Sequence, residues 1–212
     1  IYMGDWSSDV CSSDLARRAA VEVLNEVGDA KSVKFLLEAI KDSDWWVRSR
    51  AADALGKIGG PKVIDAVLQL VRDKDEDIRR AAIEILNQTK DERAIDHLIA
   101  ATRDTDWWVS ERAVDTLAEI GSKRAMPRLL EMLSTPNAKS LPIVVRALGK
   151  LGDEKLVERI LPLLARPERE IRLEAIQALG KLGDERYADQ IRVELQPHVA
   201  SNDQYGDRKS VV

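Results

Sequence analysis

The sequence contains few residues of the kinds that carry out catalysis or bind metals. Its 212 residues include one cysteine and two histidines, and aromatic residues make up only 4% of the chain. So few thiols and imidazoles leave almost no ligands for a metal and almost no nucleophiles, so we expect no enzyme activity, metal or cofactor. The sequence also lacks any run of about 18 apolar residues, which excludes a membrane-spanning helix in it.

A basic excess is missing as well. The chain has 33 basic and 37 acidic residues, which gives a formal net charge of -4. Nucleic-acid-binding proteins usually carry a strong surplus of lysine and arginine. The charge balance therefore disfavours a nucleic-acid partner and is more typical of a protein that binds a polypeptide.

The two ends of the sequence differ from the rest. Residues 5–15 show no apolar periodicity, and they can be encoded by DNA containing GCTCTTCCGATC, which resembles a sequencing-library adapter. Residues 207–212 can be encoded by DNA that begins with GATCGGAAGAGC, the reverse complement of that stretch. We therefore expect residues 1–15 and 207–212 to be adapter-derived and exclude them from the fold prediction. Residues 16–206 contain no cysteine, with 31 basic and 33 acidic residues, and we expect a cytoplasmic protein.

The middle of the chain repeats with a period of 31 residues. Three rows of apolar residues and one of glycines recur at this spacing over six repeats, without insertion or deletion. In the glycine row, the third repeat has Lys90 where the other repeats have glycine. The rows are Leu24, Leu55, Leu86, Leu117, Leu148 and Leu179; Ala20, Ala51, Ala82, Ala113, Val144 and Ala175; Leu36, Val67, Leu98, Leu129, Ile160 and Ile191; and Gly28, Gly59, Gly121, Gly152 and Gly183.

Within one repeat the apolar spacing is helical. Val47, Ala51, Leu55 and Ile58 lie three or four residues apart, which places them on one face of a helix, and Asp44 before them is a good N-cap. Gly59, Gly60 and Pro61 then end this helix and begin a second one. Each repeat is therefore predicted to be a helical hairpin that buries its apolar faces only by stacking on its neighbours.

Two segments carry a resemblance to a known family. Residues 44–59 (DWWVRSRAADALGKIG) and 171–184 (IRLEAIQALGKLGD) resemble HEAT repeats of the phycobilin-lyase-like subclass. The resemblance covers about residues 16–196 and implies an all-α, right-handed α-solenoid of about six hairpins. Pro197 and the polar stretch at 201–204 predict that a linker follows at 197–206. Such repeats also occur in phycobilin lyase subunits and in a hydroxylase family that binds di-iron through His-Glu pairs. His97 and His198 are followed by leucine and valine, so the hydroxylase motif is missing here.

The fifth repeat contains prolines where the other repeats have none. Pro142 lies where the other first helices are already under way, so this helix is predicted to begin late, near Ser140 or Leu141. Pro162 falls inside the predicted second helix. We expect a kink or a change of pitch at residues 134–143 and again at Pro162.

Two tryptophan pairs are candidates for binding a partner. Trp45-Trp46 and Trp107-Trp108 are two periods apart, and the repeat between them has Glu76-Asp77 at the same place. On a helical wheel the second tryptophan of each pair flanks the apolar face and the first lies nearly opposite. Each ring could pack over the preceding hairpin, or it could anchor a partner protein, since tryptophan is enriched in interface hot spots.

A basic residue also recurs in every repeat, near the start of the second helix. This row can form a charge ladder between repeats, or it can bind an acidic peptide or a phosphate backbone. The row consists of Lys31, Lys62, Arg93, Arg124, Lys155 and Arg186.

A second row, Arg17, Arg48, Arg79 and Arg172, is predicted to pair with Asp44, Asp75 and Asp106.

These patterns predict a non-catalytic scaffold or regulatory module that binds a protein or peptide, as a monomer or as part of a larger chain. The alternatives are a phycobilin lyase-type subunit or another HEAT-like enzyme, with a nucleic-acid binder third. By resemblance, the second helices are expected to line a concave groove with polar side chains of mixed charge. These are Lys34, Glu38, Asp65, Gln69, Asp96, Arg103, Arg128, Glu131 and Glu158.

Overall fold

A computed structural model describes residues 14–134, 140–182 and 192. Within these residues the chain is a series of α-helices joined by short turns, with no strand. The helices are α1 (Asp14–Val27), α2 (Val33–Ala39), α3 (Trp45–Ile58), α4 (Pro61–Leu70), α5 (Glu76–Thr89), α6 (Ile95–Ala101), α7 (Trp107–Ile120), α8 (Met126–Ser134), α9 (Leu141–Leu151), α10 (Val157–Ile160) and α11 (Arg169–Leu182). The all-α hairpin architecture is as predicted.

The chain divides into two compact units, residues 1–125 and 126–212. In the first unit the first helices of successive repeats stack side by side, α1 on α3, α3 on α5 and α5 on α7, while α2, α4 and α6 pack against the next first helix. In the second unit α9 lies between α8 and α11. Each unit therefore builds its core from the repeated contact between neighbouring hairpins.

The predicted rows form the core. All six leucines of the first row are buried, and so are the five described members of the row that begins at Leu36. In the alanine row Ala20 is half-buried and the other five members are buried. Ile191 and Gly183 lie outside the described residues.

The glycine row marks the ends of the first helices. Gly59, Gly121 and Gly152 each follow a first helix with positive φ, a backbone region that glycine adopts without the steric cost of a Cβ. Lys90, which replaces glycine in the third repeat, has φ 51° and is the one non-glycine residue with positive φ among the described residues. Lys90 therefore has the same left-handed conformation as Gly121 and Gly152, although it carries a Cβ.

The prolines of the fifth repeat act as predicted on the helix ends. α9 begins at Leu141, with Ser140 as its N-cap residue and Pro142 in its first turn. The second helix is broken: α10 covers only four residues, and Leu161–Ala165, which contains Pro162, continues as a 3-10 helix. Residues 135–139 lie outside the described residues.

The predicted partners of the arginine row were wrong. Arg17 pairs with Asp42 and Arg79 with Asp104, whereas Asp44 and Asp106 pair with the next arginines, Arg18 and Arg80. The arginines of this row have another role in the turns between repeats. The Nη1 atom of the arginine donates hydrogen bonds to the backbone carbonyls of the residues five and six positions before it. Arg48, Arg79 and Arg172 all make this contact.

α1 begins at Asp14, inside the segment assigned to the adapter, and Asp14 accepts a hydrogen bond from Arg17.

None of the described helices combines the length and the apolar character that a membrane crossing requires.

Candidate functional site

An aspartate places each tryptophan pair at the start of a first helix. Asp44 is the N-cap of α3 and accepts a hydrogen bond from the backbone N–H of Trp46; Asp106 caps α7 and accepts from Trp108 and Val109. These caps fix the tryptophans as the first two residues of their helices. Trp45 and Trp107 are 67% and 68% exposed, while Trp46 and Trp108 are half-buried. The wheel prediction for the two members of each pair is confirmed.

Trp46 has a structural role in the stacking of α1 on α3. The guanidinium carbons of Arg18 and Arg50 lie 5.8 and 5.9 Å from the centre of its ring, which is cation–π distance. Arg18 is bound by Asp44, and this hydrogen bond is the largest cause that holds the pKa of Asp44 below its ordinary value. Arg50 is bound at both ends of its fork by Glu22, whose pKa is lowered chiefly by that contact. Trp46 is therefore part of the junction between the first two repeats.

Trp45 and Trp108 line one groove on the surface of the first unit. The groove has a volume of about 400 Å³ and is lined by residues between 45 and 53 of α3, by residues between 77 and 84 of α5, and by Trp108 of α7. α5 has Glu76-Asp77 where α3 and α7 have tryptophans, and Asp77 is one of the residues that line the groove. Besides the two tryptophans, the groove is lined by Arg48, Ser49, Ala52, Asp53, Asp77, Arg80, Ala81 and Glu84.

Ion pairs between repeats hold the polar side chains around this groove. Asp77 accepts from Arg48 at 2.6 Å, and Glu84 accepts from both ends of the Arg112 fork at 3.0 and 3.1 Å. Arg80 donates from Nε to Asp106 at 3.0 Å. The polar side chains around the groove are therefore already ordered by ion pairs in the free chain. This lowers the conformational entropy that is lost when a partner binds.

The basic row behaves in part as a charge ladder. Arg93 bonds Asp65 of the preceding hairpin at 3.0 Å, and Arg124 bonds Asp96 at 2.6 and 2.8 Å. For these two arginines the ladder interpretation is confirmed. Lys31, Lys62 and Lys155 are exposed, and Arg186 lies outside the described residues.

The side chains expected to line a groove on the second helices are also on the surface. Lys34, Glu38, Asp65, Gln69, Asp96, Arg103, Glu131 and Glu158 are exposed, and Arg128 is half-buried. A second depression of about 390 Å³ lies at the ends of α4 and α6, beside Arg72, His97 and Arg103. Nδ1 of His97 is buried there without a hydrogen-bond partner. His198 lies outside the described residues.

Among residues 14–134, 140–182 and 192, no three histidine, cysteine, aspartate or glutamate side chains come together in a way that could hold a metal ion. Several carboxylates there are instead paired with arginines, as Asp42, Asp104 and Glu84 are, and Asp44 and Asp106 cap helix N-termini.

The comparisons with known proteins agree with the repeat pattern. A family model for HEAT repeats matches residues 9–87, 64–141 and 142–193. A search of curated protein sequences found no match.

Solved structures give the same architecture. The complex of CpcE and CpcF of phycocyanin lyase from Nostoc sp. PCC7120 is similar with a TM-score of 0.63 and 23% identity, over 77% of this chain and 69% of that chain. An engineered protein, target OR329, matches with a TM-score of 0.51 and 21% identity, over 82% of this chain and 92% of the other. A designed armadillo repeat protein in complex with the peptide (KR)4 has a TM-score of 0.51 and 15% identity, over 81% and 95% of the two chains. At these identities the likeness concerns the fold.

Proposed function

Because the chain belongs to the HEAT-repeat family, we propose that it is a non-catalytic scaffold that binds a protein or peptide partner. The observation that carries the proposal is the exposure of Trp45 and Trp107, two large indoles at the same position of two repeats. Tryptophan is among the residues that contribute most to protein interfaces, and leaving two of them in water has no benefit for folding.

The position of the two rings suits an anchor role. Each is the first residue of a capped helix, so the backbone beneath it is held in place. α3 and α7 are separated by α5, and packed helices lie about 8–10 Å apart, so the two helices are roughly 20 Å from each other. A partner segment that presents two apolar side chains at that spacing can therefore engage both rings.

The fold is compatible with a peptide partner. One of the similar structures is a designed armadillo repeat protein bound to a peptide, which illustrates that stacked helical hairpins can present such a surface. The side chains around the tryptophans carry both signs of charge, and this mixture favours a polypeptide over a nucleic acid, which needs a consistently basic surface.

The test is a selection of displayed random peptides on the immobilised chain. We expect enriched peptides to lose at least tenfold in affinity when Trp45 and Trp107 are both changed to alanine, because removing one hot-spot residue costs about 2 kcal/mol or more. Leu173→Ala is the matched control, since Leu173 is also an exposed apolar side chain, on α11 of the second unit. It should leave the affinity unchanged.

Peptides that bind the W45A/W107A variant as tightly as the original chain would contradict the proposal. Equal losses for L173A and W45A/W107A would also contradict it, because they would indicate general stickiness of exposed apolar groups.

A further inference from the structure

We propose that one exposed face of α1 docks a helical hairpin of a partner polypeptide, whose first helix lies beside α1 as α3 lies beside α5. The inference rests on the proposed scaffold function in taking the partner to be a protein, but the surface includes neither Trp45 nor Trp107. Two valines of this face, Val23 and Val27, are 53% and 73% exposed. The outer face of α1, as we call it, consists of Ala19, Val23, Glu26 and Val27.

The counterparts of Val23 in later repeats are core residues that face the preceding repeat. Ile85 and Thr116 are fully buried, on helices that each pack against the first helix before them. In the second unit Ala178 belongs to the same row, and it meets the preceding first helix at Gly149. Val23 therefore occupies a core position of the stack, but on α1 this position is exposed to solvent.

The sequence of α5 indicates what kind of helix covers such a face. Residues 17–25 (RRAAVEVLN) of α1 recur two repeats later as residues 79–87 (RRAAIEILN) of α5, with two valines changed to isoleucine. On α5 this face is covered by α3, and Gln88 beside it donates to Asp53 of α3 at 2.9 Å. Because the two faces are nearly identical, a helix of the α3 type fits α1 as well.

The occupant is a hairpin and not a second copy of this chain. α5 is contacted by both helices of the preceding repeat, α3 and α4. If two copies met through their α1 helices, each would offer one helix where the stack offers two. A hairpin therefore covers more of the apolar surface of α1, and it continues the contact that already joins the repeats.

Glu26 adds a charge requirement to this surface. In α5 the same position is Gln88, whose amide can donate to Asp53, whereas a carboxylate can only accept. In α7 the position is Glu119, which accepts a hydrogen bond from Lys90 of the preceding repeat at 3.0 Å. The partner helix is therefore expected to have a lysine or arginine near Glu26, where α3 has Asp53.

The test supplies the hairpin as a covalent probe, because one hairpin does not fold by itself. In the extended chain, residues 44–77 take the place of residues 1–15, so that α3 and α4 are copied in front of α1 in their own register. Val23→Cys is introduced into this chain and into the original chain carrying Cys11→Ser. We expect the introduced thiol to react with Ellman's reagent at least tenfold more slowly in the extended chain.

The matched control is Leu173→Cys on α11. Leu173 is 46% exposed and lies in the second unit, so its thiol should react at the same rate in both chains. Equal rates for the thiol at position 23 in the two chains would overturn the inference, because the hairpin would then leave α1 uncovered.

A second pair of variants tests the charge requirement. Asp53→Lys, made only in the added hairpin, should raise the urea midpoint of the extended chain by about 0.3 M, and Glu26→Gln should abolish this gain. A gain that persists with Glu26→Gln would overturn the predicted contact with Glu26.

Sedimentation of the original chain tests the other occupant. We expect a monomer, and a dimer that Val23→Asp dissociates would overturn the inference in favour of a second copy. None of these results affects the scaffold proposal, which is decided separately by whether selected peptides depend on Trp45 and Trp107.

Discussion

Replacing Asp106 with alanine should lower the free energy of unfolding by about 3 kcal/mol. The side chain of Asp106 is only 3% exposed, and it accepts hydrogen bonds from the backbone N–H groups of Trp108 and Val109 and from Arg80. Loss of an N-cap costs about 1 kcal/mol, and loss of buried hydrogen bonds to a charged group costs about 1.5–3 kcal/mol. Alanine also leaves the guanidinium of Arg80 without its main partner.

The matched control is Asp75→Ala. Asp75 caps α5 in the same way, but it is exposed and accepts its cap hydrogen bond from Asp77 alone. We expect a loss of about 1 kcal/mol for this variant, the ordinary effect of removing an N-cap. Equal losses in urea unfolding for the two variants would show that the ion pair with Arg80 contributes nothing.

The same residue should make stability sensitive to acid. Burial alone would raise the pKa of Asp106, but the hydrogen bonds from Arg80, Val109 and Trp108 outweigh it, so that the pKa lies below its ordinary value. A carboxyl group with a lowered pKa contributes stability above its unfolded pKa, about 3.9, and loses it as the pH falls through the folded pKa. The difference in unfolding free energy between the original chain and D106A should therefore shrink below about pH 4.

Replacing Gly149 with alanine should destabilise the second unit by about 3 kcal/mol. Gly149 is buried in α9 where α11 crosses it, and a Cβ placed there would lie 2.7 Å from the Cβ and 2.8 Å from the Cα of Ala178. The obstacle includes backbone, so α9 and α11 have to move apart. Overpacking of this kind typically costs 1–3 kcal/mol, and the upper end applies because the displaced group is a helix backbone.

Gly180→Ala is the control and should have the opposite sign. Gly180 follows Gly149 by one period and is also helical, but it is exposed, and no atom of the described residues lies within 4 Å of the position that a Cβ would take there. Alanine at an open helical position stabilises by about 0.5–1 kcal/mol relative to glycine. A denaturation experiment in which both variants stabilise the chain would disprove the close helix contact at Gly149.

Most of the fold could be predicted from the sequence because the apolar rows repeat. Burial of Leu24, Leu55 and their counterparts follows directly from the spacing of 31 residues, since the same helix face meets the same neighbour in each repeat. The late start of α9 and the break at Pro162 could be predicted too, because proline lacks an N–H and restricts the preceding residue.

The partners of the arginines could not be predicted in this way. Repeat spacing shows that Arg79 and the aspartates lie near one another, but the path of the turn decides whether Asp104 or Asp106 faces the guanidinium. Asp106 is turned inward to cap α7, and it meets Arg80 because that residue lies one helical step farther round α5. Sequence periodicity contains no information on this rotation.

The candidate site was predictable only in its aromatic part. The sequence shows two tryptophan pairs with an acidic pair between them, and the helical wheel shows which ring of each pair is exposed. It does not show that Trp45 and Trp108 line one groove, because that depends on how α3, α5 and α7 are offset when they stack. The contributions of Asp53 and Glu84 become visible only in the packed structure.

The central claim is that the exposed tryptophans serve binding and not folding, and urea unfolding of the W45A/W107A variant tests it most directly. Rings that are about two-thirds exposed bury little apolar area, so the free energy of unfolding should match that of the original chain within about 0.5 kcal/mol. A loss of about 3 kcal/mol or more, as expected for removal of a buried aromatic side chain, would assign both rings to the packing of the repeats and contradict the account.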